Sequence, residues 1–197
     1  MIPAYNEENR IGRTLDLYYR YFRSKKMSFE IIVSCDGSTD RTAQIVRDFS
    51  KPNVKALESG KRLGKGGGIL KGFQESKGRY VGFVDADGSV GPEDFYLMLE
   101  VCRKRGKCVV IGSRNLPDSE VMKKPPLYRH LLSRIFGFYV NLLFGLGISD
   151  TQCGAKITTR DLALRISGIK SNGFEFDVEM LWRIKNLGGD IVEFPVK

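Results

Sequence analysis

The chain has 197 residues but one histidine, one tryptophan and seven prolines. No apolar run reaches the roughly 18 residues that a bilayer-spanning helix needs. No signal-peptide pattern opens it. Its four cysteines, Cys35, Cys102, Cys108 and Cys153, form no CxxC pair. That spacing argues against a zinc site and fits a reduced, cytosolic compartment. The one histidine, His130, stands beside Arg129 in a basic, apolar stretch and reads as interfacial rather than catalytic. No catalytic triad is evident. No nucleic-acid-binding motif occurs and the basic residues are scattered, so nucleic acid is not the expected partner. Internal repeats and low-complexity tracts are absent as well.

What is present describes an ordered globular protein: 42% hydrophobic and 11% aromatic residues, in a length that fits one domain with a sizeable core. The net charge is +9. Such an excess suits an anionic membrane or a phosphorylated ligand, or serves solubility alone. The local cluster Lys61-Arg62-Leu63-Gly64-Lys65 lies just before a predicted helix, a position that suits a phosphate.

Strand and helix signals alternate, which predicts an α/β fold with a largely parallel sheet. Strands are expected at 1–4, 29–34, 53–57, 79–84, 107–112 and 190–196, and helices at 7–24, 40–50, 65–76, 91–105, 127–146, 159–167 and 177–187. Asp40 is a candidate N-cap and Pro92 sits in a first helical turn. Residues 113–126, with Pro117, Pro125 and Pro126, form the longest break. They read as a substrate loop or as a plain connector. Residues 127–146 are rich in leucine and aromatics, with Arg129 and Arg134 in their first half. They read as a core helix or as one lying in a bilayer interface.

The chemistry-bearing segments follow strand ends. Val81-Gly82-Phe83-Val84 runs into Asp85-Ala86-Asp87. A carboxylate pair at the carboxyl end of a buried strand can hold a hard divalent cation and leave positions for water and phosphate. Asp36 ends another strand and reads as an acceptor for a base N–H or as an Asx-turn aspartate. Gly64-Lys65-Gly66-Gly67-Gly68 resembles a phosphate loop, but satisfies neither GxxxxGK[ST] nor GxGxxG. Asp150 is a turn or capping acid, or a site residue. Asp177 shares a helical stripe with Phe174, Leu181 and Ile184, where a carboxylate needs a partner or a task; it could also N-cap its helix.

In order, Ile2-Pro3-Ala4-Tyr5-Asn6-Glu7-Glu8, Asp36-Gly37-Ser38-Thr39-Asp40, Asp85-Ala86-Asp87, Gly112-Ser113-Arg114 and Asp150-Thr151-Gln152-Cys153-Gly154 resemble family 2 glycosyltransferases. The resemblance covers nearly the whole chain. The last segment is similar to the branch of that family that moves glucose onto dolichyl phosphate. It implies the GT-A (nucleotide-diphospho-sugar transferase) fold over 1–197, a mostly parallel central sheet flanked by helices. Relatives extend beyond both ends, so the chain is expected to be a trimmed fragment or a compact member. The resemblance places Pro3, Ala4, Tyr5, Glu7 and Asp36 at the base and ribose. It places Lys65, Asp85, Ala86 and Gln152 along the nucleotide sugar. Asp87, with Asp85, would hold Mg²⁺ or Mn²⁺. Arg114 would face the diphosphate, and Asp150 or Asp177 the transferred sugar. Many relatives have two acids where this chain has Cys35-Asp36. The implied partners are a nucleotide sugar donor (UDP-glucose) and a lipid-phosphate acceptor, dolichyl or another polyprenyl phosphate. The implied location is the cytosolic face of a membrane. GDP-mannose, a carbohydrate acceptor, or a non-catalytic nucleotide-sugar-binding module remain the alternatives. A lipid phosphate has a second pKa of about 6 and attacks without help; a sugar hydroxyl would need a base, and Asp150 or Asp177 would have to serve.

Overall fold

A computed structural model describes the backbone of residues 1–119, 127–171, 173 and 175–197, and their side chains except 127–134 and 138. Residues 120–126, the side chains of Arg129, His130 and Arg134, and Phe174 therefore lie outside the described residues. The element order is β1 (Ile2–Ala4), α1 (Ile11–Ser24), β2 (Ile31–Asp36), α2 (Thr42–Asp48), β3 (Val54–Ser59), α3 (Gly64–Glu75) and β4 (Tyr80–Val84). There follow α4 (Pro92–Arg105), β5 (Cys108–Ser113), α5 (Leu127–Phe144), β6 (Ala155–Thr159), α6 (Arg160–Arg165), α7 (Glu175–Asn186) and β7 (Asp190–Pro195).

The strands pair as β1-β2-β3, all parallel, and as β4-β6-β5-β7. Met1 joins the two groups: its N–H group donates to the Gly82 carbonyl at 2.9 Å and its carbonyl accepts from Val84 N at 3.0 Å, the two-bond pattern of a parallel bridge. Parallel pairing predominates, as expected. The exception is β6, antiparallel to both β4 and β5. The strand at Ala155–Thr159 is not among those expected from the sequence, since its five residues give too short a pattern to stand out.

Helices cover both faces, and the strands are apolar on both sides, as a covered parallel sheet requires. In β5, Cys108 and Val110 join the layer under α1, α2 and α4, while Val109 and Ile111 join the layer under α3, α6 and α7. Each fully buried phenylalanine in the second layer, Phe73, Phe83 and Phe176, contributes about 1.5–3 kcal/mol by leaving water.

The first helix begins at Ile11 rather than near residue 7. The amides of Asn6, Glu7 and Glu8 are spent on Ser38 Oγ, Thr42 Oγ1 and Asp40 Oδ2, so they belong to a loop stitched to its neighbour. Asp40 caps α2 from outside, accepting from Thr42 N at 2.9 Å. The stretch Gly64–Gly68 is the first turn of α3, not a loop. A Cβ on Gly66 would stand 2.6 Å from the Phe176 ring and 2.7 Å from the Ser171 carbonyl. That glycine is needed for close packing of protein on protein.

Candidate active site

The carboxyl ends of β1, β2, β4 and β5 deliver Tyr5, Asp36, Asp85 and Arg114 to one edge of the sheet, where open α/β sheets bind ligands. Because β6 runs the other way, its amino end brings Asp150, Gln152, Cys153 and Gly154 to the same edge.

On one side of this edge, Pro3 and Ala4 lie in β1 against Ser34 and Cys35 of β2. Tyr5 is exposed and carries the Arg62 guanidinium over its ring, 3.8 Å from the centroid. Glu7 pairs with Arg10, its Oε2 2.7 Å from Nε. Asp36 is buried, and its two oxygens accept from Leu63 N at 2.6 Å and Gly64 N at 2.8 Å. The helix N-terminus that suited a phosphate in the sequence thus already holds a protein carboxylate, which stabilises it against the helix dipole.

On the other side, the turn after β4 is fastened by three bonds. Asp85 N donates to the Gly154 carbonyl (3.0 Å), Thr14 Oγ1 to the Ala86 carbonyl (2.8 Å), and Tyr18 Oη to the Val90 carbonyl (2.8 Å). Gly154 leaves room for the Asp85 side chain, since a Cβ there would come within 1.9 Å of Asp85 Oδ2. Asp85 Oδ1 is 2.9 Å from Lys65 Nζ. Asp87 is exposed and accepts from Ser89 N at 2.9 Å.

Lys65 also faces Asp177, 3.8 Å from Oδ2. Asp177 is fully buried in the first turn of α7, and its Oδ1 accepts from Lys156 Nζ at 2.6 Å. It does not cap its helix. Lys156 is also fully buried, and donates to the Cys153 carbonyl at 2.7 Å. The two ammonium groups lie over one ring, Phe83, at 5.6 Å and 5.4 Å. Burial works against the charge on Lys65, but Asp177 and Asp85 outweigh it and hold its pKa above the ordinary lysine value.

Asp150 is buried and holds Arg114 in a fork, with Nε at 2.8 Å and Nη2 at 3.0 Å, and also accepts from Gln152 N at 3.2 Å. Burial would raise the Asp150 pKa; the Arg114 hydrogen bonds and charge overcome it and set it below the usual carboxylate range. Glu193 of β7 fixes this turn, accepting from Ser149 N at 3.0 Å and Asp150 N at 3.2 Å.

Two residues of this arrangement escaped the sequence reading, Lys156 and Glu193. The signal for Lys156 was a lysine inside the run Ala155-Lys156-Ile157-Thr158, where a buried strand leaves a charge in need of a partner. Glu193 gave no signal beyond its place in a strand. A cavity of about 780 Å³ lies at the opposite edge, lined by Met1, Phe22, Phe29, Ile31, Tyr80 and Val81, and holds none of the candidate site residues.

The donor set fits a divalent cation that arrives with a phosphate-bearing ligand. Asp85 already holds one cation, the Lys65 ammonium, and Asp87 is open to solvent. Among the described residues no three His, Cys, Asp or Glu side chains group as a metal site, so a ligand would have to complete the coordination.

A seven-stranded, mostly parallel sheet with its polar residues at this edge defines a GT-A glycosyltransferase fold. Glucosyl-3-phosphoglycerate synthase from Mycobacterium tuberculosis, solved in complex with uridine diphosphate, matches with a TM-score of 0.72 at 19% identity, over 100% of this chain and 69% of that chain. The same enzyme in complex with Mn²⁺ and uridine-diphosphate-glucose matches at 0.71 and 19% identity, over 99% and 68%. Residues 1–166 match glycosyl transferase family 2, and the chain belongs to that family. It is 36% identical over 210 residues to the dolichyl-phosphate beta-glucosyltransferase of Dictyostelium discoideum, covering 100% of this chain and 64% of that protein. The Saccharomyces cerevisiae enzyme of that name is 32% identical over 218 residues (100% and 65%), and the Homo sapiens one 32% over 197 residues (92% and 61%). The chain therefore spans less than two thirds of the length of these relatives.

Proposed function

We propose that this chain carries the transferase site of an enzyme that moves glucose from UDP-glucose to dolichyl or another polyprenyl phosphate, with inversion. The observation that carries this reading is that the two acids expected beside the transferred sugar, Asp150 and Asp177, are committed to cations. Asp150 is forked onto Arg114, and Asp177 is bonded to Lys156. Asp150 is held in its fork, and Asp177 is fully enclosed between two ammonium groups, so neither is placed as the general base that a sugar hydroxyl acceptor would need. A lipid phosphate brings its own negative charge, with a second pKa of about 6. Its oxygen attacks the anomeric carbon as the bond from that carbon to the diphosphate breaks, and UDP leaves with the electron pair. The demand is then for positive charge around the leaving group, which Lys65 and Arg114 supply. Mg²⁺ or Mn²⁺, held by Asp87 and Asp85, would neutralise further charge on the diphosphate. Tyr5 with Arg62, and the loop that follows Asp36, offer a flat surface and polar groups for the base. The relatives' names support glucose and dolichyl phosphate as the transferred pair.

The acceptor lies in a membrane, and α5 offers a face for it. Ile135, Phe136, Tyr139, Leu142 and Leu143 are exposed at helical spacing, with Leu143 73% accessible. Asn141 exchanges two hydrogen bonds with Ile148, which fastens the end of α5 to the segment that leads to Asp150. No helix among the described residues is long and apolar enough to cross a membrane, and this face would meet the membrane surface without spanning it.

The test is transfer of radiolabelled glucose from UDP-glucose to dolichyl phosphate in the presence of Mn²⁺. GDP-mannose and a glucoside acceptor serve as competing arms. Activity confined to the first pair, and its loss in Asp87→Ala with retained folding, are the expected results. Transfer to the glucoside or from GDP-mannose would replace the assigned substrates. Nucleotide-sugar binding without any transfer would make the chain a binding module.

A further inference from the structure

Asp177 is only half satisfied. Its Oδ1 takes the Lys156 bond, but Oδ2, equally buried, accepts no hydrogen bond. A buried carboxylate oxygen left in that state is expensive, and calls for an explanation. The Lys65 ammonium stands 3.8 Å from it and is bonded instead to Asp85 Oδ1 at 2.9 Å. One cation thus lies between two carboxylates and serves one of them.

On the transferase reading above, on which this inference rests, Asp85 and Asp87 receive a divalent cation. Asp85 Oδ1 cannot hold that cation and the ammonium together, because two positive centres at such separations repel strongly in a site sheltered from water. We propose that Asp177, held in place by Lys156, is the second seat of Lys65: when a divalent cation reaches Asp85, the ammonium moves to Asp177 Oδ2. The move is short, about 1 Å to bring 3.8 Å down to hydrogen-bond length. The flexible four-carbon stem of a lysine permits it. The Phe83 ring lies beneath both ammonium groups and offers a smooth surface along the way. Lys65 remains in the site after the move, beside the place where the diphosphate charge develops. Lys156 touches no ligand in this scheme. It is a positioning residue, whose bond turns the free oxygen of Asp177 toward Lys65.

The experiment measures the dissociation constant of Mn²⁺, with and without UDP, by the electron paramagnetic resonance signal of the free ion. The proteins are wild type, Asp177→Asn, Lys65→Ala and the double variant, each checked for native circular dichroism. Without its second seat, Lys65 competes with Mn²⁺ for Asp85, so Asp177→Asn should weaken Mn²⁺ binding about tenfold. Adding Lys65→Ala should restore it to within about twofold of Lys65→Ala alone, since the competitor is gone. Unchanged affinity in Asp177→Asn overturns the proposal and leaves the transferase reading intact. Weakening that Lys65→Ala fails to relieve also overturns it, since Asp177 would then act through the fold. If Asp177→Asn does not fold, Lys65→Met decides: Mn²⁺ without UDP must bind more tightly, and unchanged or weaker binding refutes the proposal. Wild-type protein that binds no Mn²⁺, with or without UDP, overturns the metal reading and this proposal together.

Discussion

Replacing Lys156 with methionine tests the buried charge network directly. The ammonium has no accessible surface, and its partner Asp177 is equally enclosed. Methionine fills much of the same volume, so packing changes little while the Asp177 carboxylate loses its one hydrogen bond. Breaking a buried pair from one side costs about 3–5 kcal/mol, because the remaining charge is stranded. Here Lys65, 3.8 Å from the other oxygen, can close in and compensate in part. The expected loss is therefore at the lower end, about 3 kcal/mol. At roughly 2–4 °C per kcal/mol for a chain of this size, the midpoint should fall by about 6–12 °C. Urea unfolding followed by circular dichroism measures the free energy, and a thermal scan the midpoint. The companion variant Lys156→Met with Asp177→Leu removes both charges, and should recover to within about 1 kcal/mol of wild type. The reasoning is refuted if the single variant unfolds within about 1 kcal/mol of wild type, or if the double variant is the less stable of the two.

Three further outcomes are expected. Asp36→Asn keeps one acceptor for the amides of Leu63 and Gly64 and loses the charge, so stability should fall by about 1 kcal/mol; calorimetry should show weaker UDP binding, by about 1–3 kcal/mol. Asp150 has a folded-state pKa below its unfolded value, so its contribution is present above the ordinary carboxylate pKa of about 3.9 and is lost as the pH falls through the lower folded value. Thermal midpoints from pH 6 down to pH 2.5 should therefore drop less steeply in Asp150→Asn than in wild type, and parallel curves would contradict this. Leu142→Glu with Leu143→Glu, on the exposed face of α5, should reduce flotation with anionic liposomes and transfer to the lipid acceptor; UDP binding in solution should stay the same.

The alternation of strand and helix, the placing of most elements and the acids at strand ends were legible in the sequence, because they follow from local periodicity and from the rule that binds ligands at the carboxyl edge of an α/β sheet. The motifs from Ile2 to Gly154 carried the family as well. The sequence also drew attention to Asp177, an acid on an apolar stripe. What it left open was where each charge would be spent. A carboxylate such as Asp36 can cap a helix 27 residues away, as it does at Leu63, only once β2 and α3 are brought together. Asp150 as a free acid and Asp150 forked onto Arg114, 36 residues earlier, are the same letter in the sequence. Lys156 has no place among the expected site residues because β6 is not among the expected strands: a five-residue strand running antiparallel in a mostly parallel sheet gives too short a pattern to stand out. Pairing across the sheet buries that lysine and sets it against Asp177, 21 residues further along the chain. Composition and periodicity act over one turn or one strand, whereas ion pairs form between side chains that only the packed tertiary structure makes neighbours.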